Sequence, residues 1–188
     1  MPLRRALPLL APLLLAACAL QPAPKPYVVA VLQPTRGNTT AGTVWLVQDG
    51  PDVLVRGKLS GLKPNQLHGF HVHEKGDCSS NDGTSTGGHF NPFGKPHGHP
   101  GPEHHAGDLP ALQADARGDA EVRVRVPGTV LGPGPGALAG RGLIVHAGPD
   151  DYTTQPTGNS GARIACGTIS AQAGHDAAGN LVPLPRDL

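Results

Sequence analysis

Histidine is the residue type that this sequence concentrates most strongly. Eight of its ten histidines lie between His68 and His105, and a ninth is His146. Imidazole nitrogen is a common ligand for zinc, copper and iron. A single histidine on a strand is more often a structural residue than a ligand. So many histidines at short spacing instead predict a metal site.

The pair His71 and His73 lies within one apolar segment, with Val72 between the two histidines. Side chains alternate across a strand with period two, so both imidazoles would face one side. Phe70 and Val72 would face the core, which makes the strand a rigid platform for a metal. For this motif alone, two exposed histidines on an edge strand remain an equal alternative.

A Gly- and Pro-rich segment downstream supplies further ligand types. Three histidines and one aspartate could form a closed tetrahedral zinc set: His89, His97, His105 and Asp108. His146 ends an apolar run and could reach the same place. The alternative is a His-rich loop that binds metals loosely, a pattern that His99 and His104 would also fit.

The rest of the chain predicts short strands rather than helices. The sequence holds 27 Gly and 21 Pro, and no stretch shows a clear helical period. The run Glu121-Val-Arg-Val-Arg-Val126 alternates strictly, as expected of a half-buried strand. The fold class predicted is an antiparallel sandwich or barrel. Its strands would cover residues 27–32, 43–47, 53–59, 66–73, 121–126, 142–147 and 164–171, with a weaker one at 109–114.

Two long loops interrupt this pattern, at residues 74–108 and 148–161, and loops of such length are usually functional. The tail from residue 174 shows no pattern and is expected to lie loosely on the surface. The formal net charge is +1, and the basic residues are scattered. This argues against a nucleic-acid partner, which would require clustered cations.

The first residues read as an export signal. Arg4 and Arg5 precede a short apolar stretch, so residues 1–17 are interpreted as a signal peptide. Leu15-Ala-Ala-Cys18 resembles a bacterial lipoprotein signal, which predicts lipid on Cys18 and a Pro-rich linker over 18–26. An ordinary signal peptide is the alternative. The expected location is the periplasm or cell envelope, anchored to a membrane, where the two remaining cysteines would favour a disulfide.

The order of five motifs resembles the copper/zinc superoxide dismutase family, in an exported bacterial lipoprotein-type form. These motifs are Gly69-Phe-His-Val-His73, Gly88-His-Phe-Asn-Pro92, His105-x-x-Asp108, His146 and Gly161-Ala-Arg-Ile-Ala-Cys-Gly167. The resemblance covers residues 27–172, which leaves 173–188 as a C-terminal tail. It implies an eight-stranded antiparallel Greek-key β-barrel or sandwich with two long functional loops.

The same resemblance assigns the site residues. Copper ligands would be His71, His73, His89 and His146. Zinc ligands would be His89, His97, His105 and Asp108. His89 would bridge the two metals, Asp150 would orient one ligand of each, and Arg163 would draw in the substrate anion. Cys78 and Cys166 would form the intrasubunit disulfide.

The activity implied is the dismutation of superoxide to oxygen and hydrogen peroxide. Copper would cycle between two redox states, and zinc would serve a structural role. Two rival hypotheses are a periplasmic metal-binding or copper-carrier protein on the same fold and a structural surface lipoprotein with a silent site. The second loop contains no lysine, so steering would rest on Arg163, helped by Lys75 or Lys95. A homodimer is compatible with the sequence.

Overall fold

The computed structural model describes residues 25–186, and the predicted signal peptide and Cys18 lie outside them. This part of the chain contains strands, one 3-10 helix at Thr84–Thr86 and no α-helix. Accordingly, it has no helix long and apolar enough to cross a membrane. The strands are β1 Tyr27–Pro34, β2 Ala41–Asp49, β3 Asp52–Ser60, β4 Leu67–His68, β5 Phe70–His73, β6 Leu112–Gln113, β7 Ala120–Pro127, β8 Gly142–His146 and β9 Arg163–Thr168.

Seven strands form one antiparallel sheet in the order β5-β8-β9-β1-β2-β3-β7, and β4 pairs with β6. Strand β1 pairs with β2 along most of its length, while Gln33 and Pro34 at its end pair with β9. Strand β8 follows β7 in sequence but lies across the sheet from it. The predicted all-β, antiparallel Greek-key architecture is confirmed.

Local sequence explains the strands β2, β3 and β7. Strands β2 and β3 form a hairpin closed by the pair Asp49 and Asp52. The turn residue Gly50 has φ 63°, a conformation that glycine adopts without steric cost. In β7, Val122 and Val126 are buried whereas Arg123 and Arg125 are exposed, as the alternating sequence predicts.

The strand predicted over 66–73 is divided at Gly69 into β4 and β5, which have different partners. The Gly69 N–H donates to the carbonyl of Gly148, and the Gly69 carbonyl accepts from His146 N–H. A Cβ at Gly69 would lie 2.5 Å from Ser160 Oγ. The strand is interrupted because the second long loop approaches its backbone at this point.

The core consists of the inward side chains of the curled sheet, with Phe70, Val72 and Leu138 among the most buried. The C-terminal tail lies on the surface, as predicted, but it is held in place. Trp45 Nε1 donates to the carbonyl of Pro183, and Tyr27 Oη donates to the carbonyl of Val182. Composition alone gave no indication of these backbone acceptors.

Candidate metal centre

Strands β5 and β8 position the first three histidines. His71 and His73 project from β5 on the side opposite Phe70 and Val72, which belong to the core. Strand β8 pairs with β5 and ends at His146. Both faces of β5 are therefore buried: one carries Phe70 and Val72, and the other carries the two histidines.

Four buried histidines converge on one point: His71, His73, His89 and His146, here called the all-histidine set. Three of them, His71, His73 and His146, stand on strands, and His89 comes from the long loop after β5. In each ring one nitrogen is buried and has no hydrogen-bond partner among the described residues. These atoms are His71 Nδ1, His73 Nε2, His89 Nε2 and His146 Nε2.

The opposite nitrogen of each strand histidine is hydrogen-bonded to an acceptor. His71 Nε2 lies 2.6 Å from Asp150 Oδ2, His73 Nδ1 lies 2.9 Å from the Gly87 carbonyl, and His146 Nδ1 lies 3.0 Å from the Gly161 carbonyl. These acceptors require the proton on the bonded nitrogen, which leaves a lone pair on the converging one. The arrangement fits a metal bound by imidazole nitrogens.

Burial also keeps these rings neutral. Loss of solvation lowers the pKa of His71 to about 4, although the hydrogen bond to Asp150 opposes this. Burial lowers the pKa of His73 to about 2 and that of His146 to about 3. Neutral imidazole is the form that binds a metal, so these three histidines are ready for one at neutral pH.

A second group, the mixed set, shares one residue with the first: His89, His97, His105 and Asp108. Asp108 Oδ1 lies 3.0 Å from His89 Nδ1, 2.9 Å from His97 Nδ1 and 3.4 Å from His105 Nδ1. Ligands at about 2.0–2.1 Å in a tetrahedron are about 3.3 Å apart. The spacing and the donor types fit zinc.

Two carboxylates dominate the charge of the mixed set. Burial lowers the pKa of His97, but hydrogen bonds to Asp108 and Asp150 outweigh it and raise that pKa to about 9. Burial alone would raise the pKa of Asp108, yet its hydrogen bonds to His89 and His97 hold it well below its usual range. Zinc at His97 Nδ1 would therefore displace a proton.

Asp150 connects the two sets from the loop after β8. Its Oδ2 accepts from His71 Nε2, and its Oδ1 accepts from His97 Nε2 at 2.9 Å. The Tyr152 N–H also donates to Oδ1, at 2.8 Å. One buried carboxylate thus fixes the ring orientation of a histidine in each set.

Two supporting contacts were not predicted from the sequence. Gln155 Oε1 accepts from the His97 N–H, and Gln155 Nε2 donates to the His97 carbonyl, both at 2.9 Å. His68 Nδ1 lies 2.8 Å from the carbonyl of His146 in a buried setting. Neither residue stands in a motif, so only the folded chain reveals these roles.

Arg163 lies beside the all-histidine set at the start of β9. Its guanidinium donates to the Gly83 carbonyl at 2.6 Å, to Thr86 Oγ1 at 2.8 Å and to the Gly87 carbonyl at 2.7 Å. The Gly87 carbonyl is also the partner of His73 Nδ1. Arg163 and a histidine of the set are therefore held by one backbone group.

Cys78 and Cys166 form a disulfide with a Cα–Cα distance of 5.8 Å. It joins β9 to the loop segment that contains Gly83 and Gly87, the acceptors of Arg163. His99 stacks on Tyr152 with ring centroids 4.0 Å apart, outside both sets. His104 also lies outside both sets, while its neighbour His105 belongs to the mixed set.

Comparison with known proteins agrees with this geometry. The copper/zinc superoxide dismutase (SODC) family model matches residues 40–169. Superoxide dismutase (Cu-Zn) 2 of Aquifex aeolicus (strain VF5) is 43% identical over 133 residues, covering 68% of this chain and 78% of that protein. Superoxide dismutase (Cu-Zn) 1 of the same organism is 44% identical over 133 residues, covering 68% and 79%.

Among solved structures, a double mutant of a SOD-like protein from Bacillus subtilis superimposes with a TM-score of 0.69 at 40% identity. The match covers 76% of this chain and 96% of that one. The curled antiparallel sheet and its two adjacent sets of metal-ligating side chains define an all-β protein with a candidate two-metal site. The chain belongs to the copper/zinc superoxide dismutase family. It is an oxidoreductase that dismutates superoxide to oxygen and hydrogen peroxide, with copper and zinc as cofactors.

Proposed function

We propose that the all-histidine set holds copper, that the mixed set holds zinc, and that His89 bridges them. The observation that carries this assignment is the convergence of four buried ring nitrogens that have no hydrogen-bond partner within residues 25–186, one of them on a residue of the mixed set. Three nitrogens and a carboxylate oxygen in the mixed set suit zinc, whereas an all-nitrogen set suits copper.

Copper, when bound, supplies the one-electron chemistry by which one superoxide is oxidised to oxygen and a second is reduced to peroxide. The protein supplies the geometry and the protons. His89 Nε2 could hold either copper or a proton, but not both at once, because Nδ1 of the same ring faces Asp108 and Nε2 has one lone pair. Arg163 supplies a fixed positive charge for the superoxide anion, and Asp150 orients His71 and His97.

The test is superoxide dismutation measured on protein whose copper and zinc contents are determined in the same sample. His146→Ala is expected to abolish activity and copper binding but to retain zinc, because His146 belongs only to the all-histidine set. His175→Ala, in the C-terminal tail, is the matched control and should change neither. Equal loss of both metals from His146→Ala would contradict the separate assignment.

Export and membrane attachment are proposed on sequence grounds. Residues 1–17 have the features of a signal peptide, and Cys18 follows a leucine and two alanines. A lipid on Cys18 would hold the enzyme at a membrane of the periplasm or cell envelope, with 18–26 as the linker. One acyl chain binds only marginally, so stable attachment requires more than one.

Cys18→Ser is expected to leave the protein unprocessed or to release it from the membrane fraction without changing activity. Mass spectrometry of the mature N-terminus gives the direct readout. An unmodified end, cleaved anywhere other than before Cys18, would show a plain exported enzyme. A homodimer stays a prediction, which sedimentation of the purified enzyme decides.

A further inference from the structure

Superoxide is an anion, yet the loop beside the metal centre carries charge of the wrong sign for attracting it. Residues 147–162 contain Asp150 and Asp151 and no lysine or arginine. The two lysines considered from the sequence are offset by acidic neighbours. Lys95 pairs with Glu103 at 3.2 Å. Hydrogen bonds from Ser79 lower the pKa of Asp77, and the charge of Lys75 acts in the same direction.

A cleft of about 700 Å³ opens beside Arg163, and a further basic side chain, Arg36, lines it. It lies between the β1–β2 turn, the loop that follows Cys78 and the segment leading into β9. Arg36 belongs to the turn, and its backbone N–H donates to the Asn81 carbonyl at 2.8 Å. This bond fixes the turn against the loop. The Arg36 side chain is exposed and forms no ion pair within residues 25–186.

The charges that line the cleft do not cancel. They are Arg36, Arg163 and Asp82. The carboxylate of Asp82 accepts hydrogen bonds from Thr84, which lower its pKa and keep it ionised. These three side chains have a net charge of +1, so neutralising Arg36 would leave the cleft with no net charge.

We propose that Arg36 is a steering residue, which raises the rate at which superoxide reaches Arg163 without touching the reacting atoms. This inference rests on the proposed function of the metal centre. A unit charge about 10 Å from the path of an anion changes the encounter rate about two-fold in water, and salt screens the effect. The negative charge of Asp82 lowers the same encounter rate.

The experiment measures kcat/KM for dismutation against ionic strength on fully metallated enzyme. At low ionic strength Arg36→Gln is expected to reduce kcat/KM about two-fold and Arg36→Glu about four-fold. Arg36→Lys should retain the wild-type rate, and Asp82→Asn should increase it. All differences should shrink as salt rises. The control is Arg117→Gln, since Arg117 is exposed and pairs with Asp115 away from the cleft.

Active wild-type enzyme with an unchanged Arg36→Glu rate would overturn the steering role and leave the proposed function intact. A decrease that persists at high salt, or that accompanies metal loss, would also overturn it, because either result indicates a structural effect. Metallated wild-type protein without dismutation would instead refute the proposed function. The supporting result is a salt-dependent decrease in kcat/KM in Arg36→Gln and Arg36→Glu, together with the wild-type rate in Arg36→Lys.

Discussion

Replacing Asp150 with asparagine should weaken the binding of the two metals unequally, because the two carboxylate oxygens accept different hydrogen bonds. Oδ1 accepts from both Tyr152 N–H and His97 Nε2, whereas Oδ2 accepts from His71 Nε2 alone. Asparagine offers one acceptor and one donor. Its oxygen must take the Oδ1 position, where two donors converge, and its amide nitrogen then faces His71.

The amide N–H and the His71 Nε2–H are both donors, so they cannot bond. His71 can relieve the conflict only by moving its proton to Nδ1, the nitrogen that the all-histidine set requires. Loss of an outer hydrogen bond of this kind typically costs 10–100-fold in metal affinity. We expect copper affinity to fall by about that factor and zinc affinity to change by less than about ten-fold.

Competition titrations with a chelator, read separately for copper and zinc, measure both affinities. Asp151→Asn is the matched control, because within the described part of the chain the Asp151 carboxylate accepts only from Thr153 and Thr154 in an exposed turn. Unchanged copper affinity in Asp150→Asn would refute the tautomer argument. Equal weakening of both metals would show that Asp150 supports the loop generally rather than His71 specifically.

Two further predictions use backbone geometry and pH. A Cβ on Gly158 would overlap Asp150 Oδ1, whereas Gly128 has nearly the same φ and open space around it. Chelator titration should therefore show weaker binding of both metals in Gly158→Ala than in the control Gly128→Ala. Burial holds the pKa values of His71, His73 and His146 at about 4, 2 and 3, so the unfolded chain binds more protons below the ordinary value of 6.5. The metal-free protein should lose stability as pH falls from about 6.5 to 4, by up to about 4 kcal/mol per unit in urea unfolding, and a flat profile would contradict these pKa values.

Periodicity made part of the site predictable. Because side chains alternate along a strand, His71-Val-His73 had to place two imidazoles opposite Phe70 and Val72, and β5 does so. The same rule predicted the buried and exposed faces of β7. Motif order supplied the family, the Greek-key topology and the ligand assignments, since no local rule brings His89 to a strand that ends sixteen residues earlier.

Contacts that depend on backbone carbonyls were not predictable. Every residue has such an acceptor, so sequence does not show that Gly87 serves both His73 and Arg163. The interruption of the strand at Gly69 also depends on a loop far away in sequence. Gln155 is a further case, because a single glutamine in a turn-rich loop has no distinguishing pattern.

The two ligand sets differ in what holds them, and under the proposed assignment this difference would give zinc a role at the redox site. Three members of the all-histidine set stand on β5 and β8, where strand pairing fixes them. All four members of the mixed set belong to the long loop between β5 and β6, which lacks such pairing along most of its length. Among the residues that the structure describes, His89 alone belongs to both sets. Backbone bonds also hold His89 against β5, since Glu74 N–H donates to the Gly88 carbonyl and Phe90 N–H donates to the Val72 carbonyl. Under the proposed assignment, zinc in the mixed set would add a restraint on the His89 ring itself, which would give a redox-inactive ion a direct influence on the redox site.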